Sequence, residues 1–158
     1  MNIDQNHLSE PTKWDIRFMK LADFIAEWSE DSSRKVGAII VGPANEIRST
    51  GFNGLARGIN ATPHQRHSRE DNEKYYWYEH AERNSIYNMA RAGISSENCR
   101  IYTSLFPCSD CTRAIIQSGL AEIITRLPPN RDDFFSRSLQ ISLEMLNESH
   151  VSVRFLKI

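Results

Sequence analysis

A chain of 158 residues, 40% hydrophobic and 25% charged, suffices for one well-packed domain over residues 1–158 and is too short for two ordinary ones. Nineteen basic against twenty acidic residues leave a net charge of -1, which excludes a bulk electrostatic pull toward nucleic acid or an anionic membrane. No apolar run approaches the ~18 residues a bilayer-spanning helix needs.

Met1-Asn2-Ile3-Asp4-Gln5-Asn6 lacks the basic and then apolar stretches of a signal peptide. Three cysteines, two of them in one Cys-x-x-Cys, suit a reducing compartment and metal binding better than a disulfide framework, so a cytoplasmic location is expected. Residues 11 to 30 read as an amphipathic helix, with Trp14, Phe18, Leu21, Ile25 and Trp28 recurring at intervals of three and four. Val36 to Val41 is an apolar run of strand length. Gly42-Pro43-Ala44-Asn45 supplies a turn, and Glu46 to Asn53 returns as the second strand of a hairpin.

From Gly54 to about Tyr76 the periodicity fails, and a stretch of that length without an element reads as a functional loop or lid. His64 and His67 could form a metal pair there, but nothing nearby completes a ligand set, so two solvated histidines are expected. Tyr75-Tyr76-Trp77-Tyr78 packs the loop onto the body, or stacks on a base. His80 to Gly93 reads as a helix with Ile86, Met89 and Ala90 inward, and Arg100 to Ser104 as a strand. Pro107 precedes a helix ending at Gly119, Ala121 to Thr125 is a strand, and Pro128-Pro129 breaks the chain. Phe135, Leu139, Leu143 and Leu146 mark a last helix, and Val151, Val153 and Phe155 a last strand. Cys99 reads as a small buried apolar residue. The order implies a three-layer α/β/α domain around a five-stranded mixed sheet.

Chemistry concentrates in two of these elements. Glu79-His80-Ala81-Glu82 is answered by Pro107-Cys108-Ser109-Asp110-Cys111, and no second Cys-x-x-Cys exists. One imidazole and two thiols give three zinc ligands. Structural zinc sites usually close with four protein ligands, whereas catalytic sites leave one position to water or substrate. His80, Cys108 and Cys111 are therefore the expected ligands of one catalytic Zn2+, with Glu82 as the proton-moving carboxylate. A redox Cys-x-x-Cys would not come with His-x-Glu; the combination is the signature of zinc-dependent base deaminases.

These residues resemble the cytidine and deoxycytidylate deaminase superfamily, and within it the deoxycytidylate deaminases, over most of the chain from about Phe18 to Ile124. Lys35-Val36-Gly37-Ala38-Ile39-Ile40-Val41 is similar to the family's first strand, and Gly51-Phe52-Asn53-Gly54 to its Gly-Tyr-Asn-Gly turn. Leu105-Phe106-Pro107-Cys108 with Ile115 to Gly119 is similar to its second zinc helix. The resemblance implies hydrolysis of dCMP to dUMP and ammonia. Asn53 would meet the sugar and base, Ala81 would line the pocket through its backbone, and Lys35 would help at the phosphate. It further implies a homo-oligomer, with a hexamer favoured, and dCTP and dTTP as effectors, without nucleic-acid or membrane partners. Phe52 departs from the family's Tyr, and Leu55-Ala56 stands where Met-Pro or Phe-Pro is common. The rival readings are a deaminase of tRNA adenosine or guanine, and a nucleotide-binding module without catalysis.

Overall fold

In the computed structural model, which describes residues 8–128 and 134–158, the chain opens with a short strand, β1 (Leu8–Ser9). Helix α1 (Lys13–Ala26) then starts at Thr12 with a reciprocal cap: the Asp15 amide donates to the Thr12 hydroxyl at 3.2 Å, and the Thr12 amide donates to the Asp15 carboxylate at 2.8 Å. Strands β2 (Gly37–Val41) and β3 (Ile47–Phe52) form the expected antiparallel hairpin. β4 (Gly54–Leu55) and β5 (Tyr78–Glu79) pair as a separate two-stranded ribbon. Between them residues 56–77 hold 3-10 turns at His64–His67 and Glu70–Asn72 and a single helical turn, α2 (Lys74–Trp77). The chain continues through α3 (Ala81–Ala92), β6 (Arg100–Thr103), α4 (Ser109–Gln117), β7 (Glu122–Thr125), α5 (Phe134–Glu148) and β8 (Ser152–Leu156). Met1 to Asn6, read for a signal peptide, and Pro129 of the Pro128-Pro129 break lie outside the described residues.

The sheet runs β1-β8-β7-β6-β2-β3, with β6, β7, β8 and β1 parallel and β2 antiparallel to both neighbours. It has six strands, not the expected five. The addition is Leu8–Ser9, which pairs with Phe155 and Leu156 and is too short for alternation to mark it in the sequence. Successive residues of a strand face opposite ways, so the central strands feed two cores. Ile39, Val41, Tyr102, Ile124 and Leu156 pack under Phe18, Met19 and Ala22 of α1. Ala38, Ile40, Ile101, Ile123 and Phe155 pack under Met89, Ile115 and Leu146 of α3, α4 and α5. Such double burial explains why β2 is a continuous apolar run. This is the α/β/α layering expected.

Two inward faces differ from the periodicity. In α1, Phe18 and Ile25 are buried, but Met19, Ala22 and Ala26 join them while Trp14 and Trp28 stay exposed. The reason is close approach: a Cβ on Gly37 would meet the Ala22 carbonyl oxygen at 2.0 Å, so the helix meets the sheet along its small residues. In α3, Met89 is buried and Ile86 partly so, whereas Ala90 is exposed and Ser85 takes the inward position. A Cβ on Gly51 would lie 2.3 Å from the Ala81 carbonyl oxygen and 2.5 Å from the Ser85 nitrogen. Glycine at 51 thus lets the first turn of α3 lie directly on β3. Cys99 is fully buried, as expected. Among the described residues no helix is long and apolar enough to cross a membrane.

Candidate metal centre

The start of α3 is fixed to β3 by side chains bonding backbone. Asn84 donates to the Phe52 carbonyl at 2.8 Å, Asn88 to the Thr50 carbonyl at 2.9 Å, and the Ser49 hydroxyl to the Ser85 carbonyl at 2.7 Å. The start of α4 is held by its neighbour, the Ser109 amide donating to the Ser138 hydroxyl of α5 at 2.9 Å. Arg83 bridges the two starts, with Nε 2.7 Å from Glu79 and a guanidinium nitrogen 3.5 Å from Asp110.

His80 and Cys108 are the N-cap residues of α3 and α4, both extended, and neither caps its own helix with its side chain. Instead Cys108 Sγ lies 3.3 Å and Cys111 Sγ 3.4 Å from His80 Nδ1. The three donor atoms fall within 4.8 Å of one another, the only such group among the described residues. Because His80 precedes the first helical residue, it and Glu82 reach the same place, which two residues apart in mid-helix could not do.

The donor set fits zinc. Nitrogen at ~2.0–2.1 Å and sulfur at ~2.3 Å from a tetrahedral ion are separated by roughly 3.5 Å, close to the spacing here. A side-chain hydrogen bond with Cys111, with His80 beside it, outweighs burial and pulls Cys108 down to about 4. The same bond, then burial, pushes Cys111 up. Burial alone would lower His80, but the hydrogen bond and charge of Cys108 outweigh it and raise the imidazole. Helix N-termini behind both cysteines favour their thiolate forms.

Glu82 is 3% exposed, and its nearest hydrogen-bond donor is the Cys111 thiol at 3.5 Å. No cation pairs with it among the described residues. Burial, with the Cys108 charge adding, raises its carboxyl above the usual range. His80, Glu82 and Cys108 line a cavity whose apolar wall is Val36, Leu105, Phe106 and Leu139. Tyr75, Tyr78 and Phe135 also line it, Tyr75 meeting Phe135 edge-on at 5.6 Å, and Asp31, Arg34, Arg69 and Lys74 add charge.

The remaining sequence-predicted residues separate. Asn53 is buried and lines the cavity; its Oδ1 accepts from the Val36 amide at 2.7 Å, and its Nδ2 donates to Asp31 at 3.0 Å and the Arg34 carbonyl at 2.9 Å. Ala81, fully buried, opens α3 beside the donor set but is not among the cavity-lining residues. Lys35 is not among the cavity-lining residues: it is exposed, its ammonium on the Glu27 carbonyl at 3.3 Å. His67 uses both ring nitrogens on protein, at 2.7 Å from the Tyr78 hydroxyl and 2.7 Å from the Ala61 carbonyl. Asp31, Arg34, Lys74 and Phe135 were not singled out from the sequence. Tyr75 and Tyr78 had a signal in the aromatic cluster; a lone lysine in a charged stretch has none.

The model of the cytidine and deoxycytidylate deaminase zinc-binding region matches residues 12–127. An uncharacterized deaminase encoded in the luxG 3' region of Aliivibrio fischeri is 35% identical over 148 residues, covering 92% of this chain and 95% of its own. The deoxycytidylate deaminase of Mus musculus is 37% identical over 115 residues; 71% of this chain aligns with 64% of that protein. Among solved structures, the dCMP deaminase of cyanophage S-TIM5 in complex with dCMP and dUMP superposes with a TM-score of 0.77 at 25% identity, over 94% of this chain and 100% of that one. With the matched region enclosing His80, Glu82, Cys108 and Cys111, the chain belongs to the zinc-binding cytidine and deoxycytidylate deaminase family.

Proposed function

We propose that this chain is a hydrolase that converts dCMP and water to dUMP and ammonia, acting as one domain. The observation that carries the reading is the buried Glu82 carboxylate, without a cation partner, on the floor of the cavity that holds a three-donor metal set. His80, Cys108 and Cys111 would hold a zinc ion, which when bound would lower the pKa of a water from ~15.7 to about 7.

The residues do the rest. Val36, Leu105 and Phe106 exclude solvent around the base. Glu82 takes a proton from the attacking water as the C4–O bond forms and delivers it to N3. It passes the second proton to the amino group as the C4–N bond breaks, leaving ammonia and the uracil ring. A carboxyl raised by burial suits this double role, because it takes up a proton more readily than an exposed carboxylate does. Asn53 keeps one Oδ1 lone pair for a sugar hydroxyl. Arg34 and Arg69 supply positive charge for a 5′-phosphate, which Lys35, on the Glu27 carbonyl, does not. A balanced net charge favours a mononucleotide over tRNA. A cytoplasmic homo-oligomer, hexameric and responsive to dCTP and dTTP, completes the reading.

Ammonia release from dCMP, dCTP, deoxycytidine, guanine and tRNA, measured with zinc content and with added dCTP and dTTP, tests it. The expected result is one zinc per chain and turnover of dCMP above every other substrate. Preferred turnover of guanine or tRNA overturns it.

A further inference from the structure

The chemistry above leaves one buried ion pair on the cavity wall without a task. Lys74 and Asp31 are each 5% exposed, and the Lys74 ammonium donates to the Asp31 carboxylate and, at 3.0 Å, to the Ser33 hydroxyl. The ammonium also lies 4.8 Å from the centroid of the Tyr78 ring. Among the described residues this is the only ion pair that ties residues 56–77 to the rest of the chain. Burying such a pair contributes little net stability, because desolvating two charges offsets their attraction. Its use lies in what it orients.

Asp31 is the hub. Its Oδ1 accepts from the Ser33 amide and hydroxyl, each at 2.8 Å, and from the Arg34 amide at 3.2 Å. Its Oδ2 accepts from Lys74 and, at 3.0 Å, from Asn53 Nδ2. Burial pushes this carboxyl up, but the donors, Lys74 first among them, outweigh it and hold the group at about 2. The Asp31 anion accepts only a donor, so with the Arg34 carbonyl, 2.9 Å away, it draws the Asn53 nitrogen, while the Val36 amide donates to the oxygen at 2.7 Å. The two ends of an amide are nearly the same shape, and only such partners decide which way it faces.

We propose that Lys74 is a positioning residue for the nucleotide: it fixes Asp31, one of the three groups that hold the Asn53 amide at the cavity. The loop that rings the cavity thereby sets the geometry of a residue on the sheet side. The inference rests on the nucleotide-deaminase reading above, but half of its test does not.

The experiment compares wild type with Lys74→Met, zinc-loaded, by steady-state kinetics on dCMP and by hydrogen exchange at the Val36 amide. Lys74→Met is expected to keep its zinc and to raise KM about tenfold, the equivalent of one hydrogen bond. The value of kcat stays within about threefold. Exchange at Val36 quickens about tenfold, since its acceptor is the Asn53 oxygen. A wild-type KM, unchanged exchange at Val36, or a fall in kcat alone overturns the proposal. Where Lys74→Met does not fold, the isosteric Asp31→Asn replaces it and is read by the same two measurements. Absence of wild-type turnover on dCMP defeats the functional reading, while Val36 exchange still decides what Lys74 orients.

Discussion

Two carboxylates sit in the first turn of a helix, on opposite faces of the sheet, and almost equally out of water. Asp15 of α1 is 1% exposed and Glu82 of α3 is 3% exposed. Burial raises both, and a helix N-terminus lies behind both, yet they end on opposite sides of the ordinary carboxylate range. Asp15 accepts from Arg154 at 2.8 and 3.0 Å, from the Tyr102 hydroxyl at 2.8 Å, and from the Thr12 amide and hydroxyl at 2.8 and 2.7 Å. Those donors outweigh burial and hold it well below the range. Against burial, Glu82 has only the charge of His80, its own backbone amide and a thiol 3.5 Å away, and burial wins. Surface exposure and the helix dipole do not separate scaffold from proton carrier; the depth of burial and the donors facing the carboxylate together do.

Removing a neighbour of Glu82 should have the largest effect. Cys108→Ala deletes one of three donors, so zinc is lost, turnover falls to background, and the thermal midpoint drops by roughly 5–10 °C. Metal analysis with calorimetry checks this, and a variant that retains zinc would place the anchor elsewhere. Next is Glu82→Gln, which keeps the shape and the hydrogen-bonding reach but carries no mobile proton. Zinc content should be unchanged, because Glu82 is not a donor, while kcat falls by about 10²–10⁴. An active, metal-replete Glu82→Gln would refute the distinction between the two carboxylates.

The reactive half of this comparison was readable from the sequence because its chemistry is local. His80 with Glu82 and Cys108 with Cys111 each span one helix start, so residue type and spacing alone bring them together. The layered fold was readable for the same reason, since each strand and long helix carries its own apolar pattern. What stayed hidden depends on distant partners. Arg154 reaches Asp15 across the width of the sequence, and Lys74 reaches Asp31 from a stretch with no periodicity. Leu8–Ser9 became a strand only because β8 offers it an edge. Trp14 and Trp28 fit a helical stripe, but the sheet meets α1 at Ala22, where Gly37 leaves room. Spacing shows which residues share a face, not which face another element approaches.

The scaffold half breaks more gently, and in a pH-dependent way. Asp15→Asn leaves the shape but removes the charge that Arg154 faces, and should cost about 3 kcal/mol at neutral pH. Asp15 has a depressed folded pKa, so its contribution is present above the unfolded value of ~3.9 and is lost as pH falls below it. The variant's stability should therefore vary less than wild type between about pH 5 and pH 2. Urea unfolding at the two ends of that window checks the sign; a variant as acid-sensitive as wild type would assign the acid loss to another group.

The smallest effect should come from Tyr102→Phe. The ring keeps its place in the core, packed against Phe18 at 5.0 Å between centroids, and only the hydroxyl that donates to Asp15 is removed. Asp15 still has Arg154 and Thr12, so the loss should be about 1 kcal/mol, the worth of a single hydrogen bond. With one donor fewer, the Asp15 carboxyl rises, so the acid loss of stability still begins near the unfolded pKa but is smaller and is complete at slightly higher pH than in wild type. Burial of the phenol, followed by its bond to Asp15, raises the Tyr102 hydroxyl above its usual range, so it donates throughout. A loss as large as that of Asp15→Asn would mean that the hydroxyl, rather than Arg154, is what holds this carboxylate as an anion.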